Sequence, residues 1–155
     1  MDKKLIFMML IMATWATKVG AQQSSALENT RVMKAVKAAV YNTEKGAMQD
    51  ISGTDFLITE KIISEVSTQV TCTYREGNEN KRLFGPALIH LTDYSLDDMG
   101  NLVKLEFEGI IVTDSNGTTH DISYTVEGGV ISFIDYDTEF CCALLGIEII
   151  VDNTK

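Results

Sequence analysis

Apolar and polar residues alternate with period two along much of this chain. Between 66 and 75, Val66, Thr68, Val70, Cys72 and Tyr74 share one parity, and Ser67, Gln69, Thr71, Thr73 and Arg75 share the other. A strand with a single buried face requires that repeat. The preceding FLITEKIISEV, 56–66, fits both periods, because Ile58, Ile62 and Val66 also stand at helical spacing. Its β-branched content and its neighbour favour a strand, 55–63, turning near Ser64-Glu65 into 66–75. EGNENKR, 76–82, reads as a polar loop. A further strand falls within 83–91, where Gly85-Pro86 marks an edge or a strand start.

The most regular stretch runs from Asn101 to Tyr136 and predicts two hairpins in series. Asn116-Gly117 is the dipeptide of a tight type I′ turn. With that turn as the centre, Ile111 faces Ile122, Gly109 faces Tyr124 and Phe107 faces Val126, all on one side. Lys104, Glu106 and Glu108 point the other way. The next turn lies in Glu127-Gly128-Gly129 and brings Ile131 and Phe133 onto the face of Tyr124 and Val126. LLGIEIIV, 144–151, makes the last strand. The strand–turn–strand rhythm of NGTTHDISYTVEGGVISF resembles that of small secreted lipocalin-like barrels. The tryptophan such barrels often carry near their first strand is absent after Ala21.

Only the N-terminal region reads differently. Ser25 and Glu28 have the spacing of a capping box, and Met33, Val36 and Val40 follow at helical spacing, with Gly46 as a stop. The pattern predicts one amphipathic helix, 25–43. The expected fold is therefore α+β and mainly antiparallel β, with the N-terminal helix packed on a six- or seven-stranded β-meander. A small lipocalin-like barrel or a β-sandwich is the alternative.

Ahead of that helix, Lys3 and Lys4 precede an unbroken apolar run, 5–13, and Val19-Gly20-Ala21 offers small residues at the −3 and −1 positions of a cleavage site. Residues 1–21 thus read as a signal peptide, and 22–155 as one secreted or periplasmic domain. The run is shorter than the ~20 residues a membrane-spanning helix needs. The leader carries three lysines and one aspartate, so removing its net +2 turns the chain's −9 into −11. A surface this acidic disfavours nucleic acid and anionic membranes as partners.

Export also bears on the cysteines, because oxidising compartments favour disulfides. Cys141 and Cys142 are adjacent, so in a strand only one can face Cys72. Counting back from Ile147, Ile149 and Val151 puts Cys141 on the core face and predicts a Cys72–Cys141 bridge, leaving one free thiol. A bulge at Gly146 would shift the phase and select Cys142 instead. No C-x-x-C, G-x-S-x-G or H-E-x-x-H motif is present, which disfavours oxidoreductase and common hydrolase chemistry. His90, in ALIHLTDY, reads as a structural histidine. Asp135, Asp137 and Glu139 recur at period two beyond Ile131 and Phe133, and with His120 they form a candidate rim of carboxylates and one imidazole. DYSLDDMGN, 93–101, is acidic but fails the calcium-loop pattern and reads as a solvated loop.

Two function classes follow. One is an exported non-catalytic binding domain that recognises a protein, a glycan or a small apolar ligand, the last on a face made by Phe107, Tyr124 and Phe133. The other is a hydrolase-type enzyme using Asp135, Asp137 and Glu139 with His120. Neither requires a cofactor or a metal. A pocket of roughly a few hundred Å³ over the Phe107–Tyr124–Phe133 face would separate a ligand carrier from a partner-binding module.

Overall fold

The computed structural model describes residues 29–51, 55–112 and 116–154. The proposed signal peptide and the start of the expected helix, 25–28, lie outside them. Eleven strands follow in chain order: β1 (Thr30–Ala35), β2 (Lys37–Asn42), β3 (Ala47–Ile51), β4 (Phe56–Ser64), β5 (Ser67–Glu76), β6 (Glu79–Leu96), β7 (Leu102–Val112), β8 (Thr119–Glu127), β9 (Val130–Asp135), β10 (Phe140–Leu145) and β11 (Glu148–Asp152). They pair antiparallel in a single sheet with the order β11-β1-β4-β5-β6-β7-β8-β9-β10-β2-β3. No helix occurs among the described residues, so the fold is all-β, not the expected α+β.

The sheet closes through strands that the chain interrupts but continues. Only Val36 separates β1 from β2. β1 pairs with β11 and β4, while β2 pairs with β10 and β3. The Val36 N–H donates to Leu145 O at 3.0 Å and carries the pairing across the break. β1/β2, β3/β4 and β10/β11 are thus three interrupted ribbons, and with β5 to β9 they form a closed ring. Closure satisfies backbone groups that an open sheet would leave at its edges.

The expected helix fails because of how the break is built. Met33 and Ala35 point inward before it, and Ala38 and Val40 point inward after it. Inward parity flips at Val36, so the buried positions are spaced by two, then three, then two, which imitates a helical stripe. Across the pair, parity flips at the same level, from Cys142 and Leu144 to Ile147 and Ile149. Gly146 sits at that point with φ +66, and a Cβ there would stand 3.0 Å from Val36 Cγ2. Both ribbons switch together, so the register survives. Pairing on both sides outweighs the modest helical preference of the alanines and lysines.

The core lies inside the ring. Phe56, Ile58, Val70, Cys72, Ile89, Ile122, Tyr124, Ile131, Phe133, Cys142 and Leu144 are fully buried. Phe84 stacks on Phe133 with centroids 4.0 Å apart and planes at 8°. Outward positions include Gln69, Glu108 and Asp121, all exposed.

Two registers sharpen the hairpin picture. β7 and β8 pair Ile111 with His120, Gly109 with Ile122, Phe107 with Tyr124 and Leu105 with Val126. This register is shifted by two residues from the one a turn centred on Asn116-Gly117 gives. An even shift leaves every side chain on its expected face. Gly109 pairs with Ile122, not with Tyr124. A Cβ there would come within 1.9 Å of Leu88 O, so the glycine serves the close approach of β6. Gly128 and Gly129, both at positive φ, form the tight β8–β9 turn.

Candidate functional site

The acidic rim forms where β8 and β9 run out. Asp135 ends β9 opposite Ile122, and the chain turns through 136–139 into β10. His120, on the same face as Ile122, brings Nδ1 to 3.1 Å from Asp135 Oδ2. The Asp121 N–H donates to Asp137 Oδ2 at 2.9 Å. A nitrogen of His120 and an oxygen each of Asp135 and Asp137 lie within 4.8 Å of one another, close enough to meet one cation. Glu139 stays outside this group: it is an exposed turn residue with φ +55.

Hydrogen bonding explains much of the cluster without a ligand. The N–H groups of Asp137 and Thr138 donate to Asp135 Oδ1 at 3.0 and 3.2 Å, so this carboxylate caps the turn. Burial raises the Asp135 pKa, but the bonds from His120, Thr138 and Asp137 outweigh it and leave the carboxyl below its ordinary value. Asp135 is therefore ionised at neutral pH and held by the turn it stabilises. His90 is exposed on β6, with Nδ1 2.5 Å from Ser67 Oγ.

Phe107, Tyr124 and Phe133 do share one inner face, as the alternation requires. Phe107 and Tyr124 meet edge to face, with centroids 5.8 Å apart and planes at 68°. The pocket bounded by Arg31, Met33, Glu60, Leu105, Phe107, Val126 and Ile131 has a volume of about 30 Å³. A water or two fits there, whereas a ligand site needs ~300 Å³ or more.

Beside that pocket lies a polar cluster absent from the sequence reading. Arg31 Nε and Nη2 donate to Glu60 Oε2 at 2.9 and 2.5 Å, and the Tyr124 hydroxyl donates to Glu60 Oε1 at 3.1 Å. Burial works against the Arg31 charge, but attraction to Glu60 outweighs it and raises the guanidinium pKa. Burial, followed by the Glu60 charge, pushes the Tyr124 phenol well above its usual value. The three groups satisfy one another. The signal was present in FLITE, where Phe56, Ile58 and Glu60 share the inward parity of β4.

The expected Cys72–Cys141 bridge does not form. Cys72, Cys141 and Cys142 are free thiols, with Cys72 and Cys142 buried in the core and Cys141 half-buried outside it. Counting back from Ile147 crosses the parity flip at Gly146, which reverses the two positions. Burial pushes the Cys72 thiol up to about 12 and raises Cys142 and Cys141 as well. None is activated as a nucleophile.

A second concavity lies at the start of β7, beside the β8–β9 turn. Residues 102–105 of β7 and 126–129 at the β8–β9 turn enclose a cleft of about 460 Å³. Leu105 and Val126 separate it from the small interior pocket. No family model, curated protein or solved structure matches the chain.

Proposed function

We propose that this protein is an exported, non-catalytic interaction domain that recognises a protein partner through its outer surface. Close packing beside Arg31 and Glu60 supports this reading: the pocket there holds about 30 Å³, too little for a carried molecule. Export rests on the leader, with its Lys3-Lys4 start and Val19-Gly20-Ala21 end. The acidic charge fits a domain that avoids nucleic acid and anionic lipid.

Convergence of His120, Asp135 and Asp137 is the observation that favours a hydrolase or a cation site. Against it, Asp135 and Asp137 both accept backbone N–H groups around the β9–β10 turn. The binding reading therefore stands first.

Native mass spectrometry of the protein from its own compartment, combined with in-cell cross-linking, tests it. The expected species is the chain from Gln22 with no small molecule attached, cross-linked to a second protein. An apolar compound released stoichiometrically on denaturation would sink the reading in favour of a carrier.

A further inference from the structure

We propose that Asn116 is an N-glycosylation site, and that its sugar covers the apolar stripe of Val112, Ile110 and Leu88 beside it. The inference goes beyond the interaction reading and shares one premise with it, that the chain is exported.

Asn116-Gly117-Thr118 is the chain's single N-x-S/T sequence, the acceptor pattern for N-linked sugar. Asn-Gly also has a purely conformational use, as the central pair of a type I′ turn. The strand register removes that use. A two-residue turn at Asn116-Gly117 would pair Val112 with Asp121. Instead Val112 pairs with Thr119, and Asp121 pairs with Ile110. The dipeptide is therefore not the central pair of a tight turn but part of the longer connection 113–118. Gly117 has φ +79, which accounts for the glycine and leaves the asparagine before it without a conformational reason.

Placement suits the modification. Asn116, Gly117 and Thr118 are all exposed, between the end of β7 and the start of β8. A glycan is bulky and hydrated, so the folded surface must leave it in water. In the transfer, Asn116 Nδ2 attacks C1 of the first sugar of a polyprenyl-pyrophosphate-linked oligosaccharide. An N–C bond forms, the bond from C1 to the pyrophosphate oxygen breaks, and the lipid pyrophosphate leaves with the electron pair. The displaced amide proton passes to a base of the transferring enzyme, and nothing is oxidised or reduced.

The neighbouring outer face supplies an independent reason. Val112, the last residue of β7, is 56% exposed. Ile110 shares its face two residues earlier and stands opposite Leu88 of β6, and both are more than a third exposed. Three aliphatic side chains thus form an outward apolar stripe across two strands. Contiguous exposed apolar surface promotes unwanted association. Asn116 is four residues from Val112, at most ~14 Å of chain, which is within the span of an oligosaccharide.

Mass spectrometry of the exported protein from its native source, before and after peptide N-glycosidase in heavy-oxygen water, tests the site. The expected chain starts at Gln22, loses the mass of one glycan on treatment, and then carries a labelled aspartate at 116. Asn116→Gln and Thr118→Ala, expressed in that source, should each lose the glycan completely. Thr118→Ser should keep it, which separates a lost acceptor from a lost fold. Removing the sugar from the folded protein should raise Nile red fluorescence severalfold, and Val112→Thr with Ile110→Thr should abolish that rise. An unmodified Asn116 in a chain that starts at Gln22 overturns the glycan and leaves the interaction reading standing. A glycan that persists in Asn116→Gln overturns the site, and an unchanged dye signal overturns the covering role. A cytoplasmic chain that keeps residues 1–21 removes the export premise and strikes both readings.

Discussion

Replacing Glu60 should destabilise the barrel more than replacing any exposed carboxylate. Glu60 is buried, and its two oxygens take both Arg31 donors and the Tyr124 hydroxyl. Glu60→Leu leaves a guanidinium whose side chain is 14% exposed without its counter-charge, and a fully buried phenol without an acceptor. Removing one partner of a buried pair costs about 3–5 kcal/mol. The partial exposure of Arg31 argues for the lower end, and the orphaned phenol adds ~1 kcal/mol or more. The sum, about 4 kcal/mol, is a large part of the ~5–15 kcal/mol that holds a domain together. With a urea slope of about 2 kcal/mol per molar, the midpoint should fall by ~2 M. Replacing all three groups, with Arg31→Met and Tyr124→Phe added, removes the stranded charge and donor together. That triple variant should recover to within about 1 kcal/mol of the parent. The pH profile adds a check. Raised folded-state values for Arg31 and Tyr124 mean that their contribution is complete at neutral pH and is lost only as pH rises past the ordinary phenol range. A loss under ~1 kcal/mol in Glu60→Leu, or a triple variant weaker than the single, would refute the reasoning.

Gly146→Ala should cost about 1–2 kcal/mol for its left-handed backbone, plus the 3.0 Å approach to Val36 Cγ2. Val36→Ala in the same chain should return only the contact part, so the pair is less than additive in denaturant melts. A thiol reagent should find three groups in the unfolded chain without reductant. In the native protein Cys141 should react ahead of buried Cys72 and Cys142, whereas a single group after unfolding would reveal a bridge. Asp135→Asn should cost ~1 kcal/mol at neutral pH by weakening the turn cap and the His120 contact. The Asp135 carboxyl lies below its ordinary value, so its contribution is present above about pH 4 and is lost as pH falls through the depressed value. The two proteins' midpoints should converge in acid.

Legibility in the sequence followed the regularity of the alternation. The β4–β5 and β7–β8–β9 hairpins were readable because parity holds over their whole length, and the two-residue error of register from the Asn116-Gly117 turn left every face correct. What escaped lay at two places. β6 runs unbroken from Glu79 to Leu96, across parts of the loops expected at 76–82 and 93–101 and past Gly85-Pro86. The other place is the β1–β2 break. Parity flips at Val36 and at Gly146, which stand at one level of neighbouring ribbons. The first flip disguised two strands as a helix, and the second exchanged the faces of Cys141 and Cys142. Gly146 marked the second flip as an alternative that puts Cys142 inside, as found, but nothing local marks Val36, whose flip is set by the facing strand more than a hundred residues away. His120 and Asp135 were recoverable, since both sit near the end of one apolar face. Glu60 was not sought, because a single acid in an alternating strand looks like an outward residue unless its parity is counted.

Closure also decides where a partner can bind. A ring of paired strands offers no continuous edge, so unpaired backbone survives only where a strand outruns its neighbours or a hairpin projects. Among the described residues, the β2–β3 and β6–β7 hairpin ends are such places. At the β2–β3 hairpin, Tyr41 and Met48 are exposed and paired, but the charges cancel: Lys37 bridges Asp50 at 2.5 Å, and Glu44 adjoins Lys45. At the β6–β7 ribbon they do not cancel, for five carboxylates face one lysine between 93 and 108. Exposed apolar residues occur at both, so hydrophobicity alone would not choose between them. Charge and the adjoining cleft of about 460 Å³ do. If a protein partner is drawn to that acidic hairpin end, charge-balancing substitutions between 93 and 108 should shift its association rate and salt dependence, while the same substitutions near β3 should leave both unchanged.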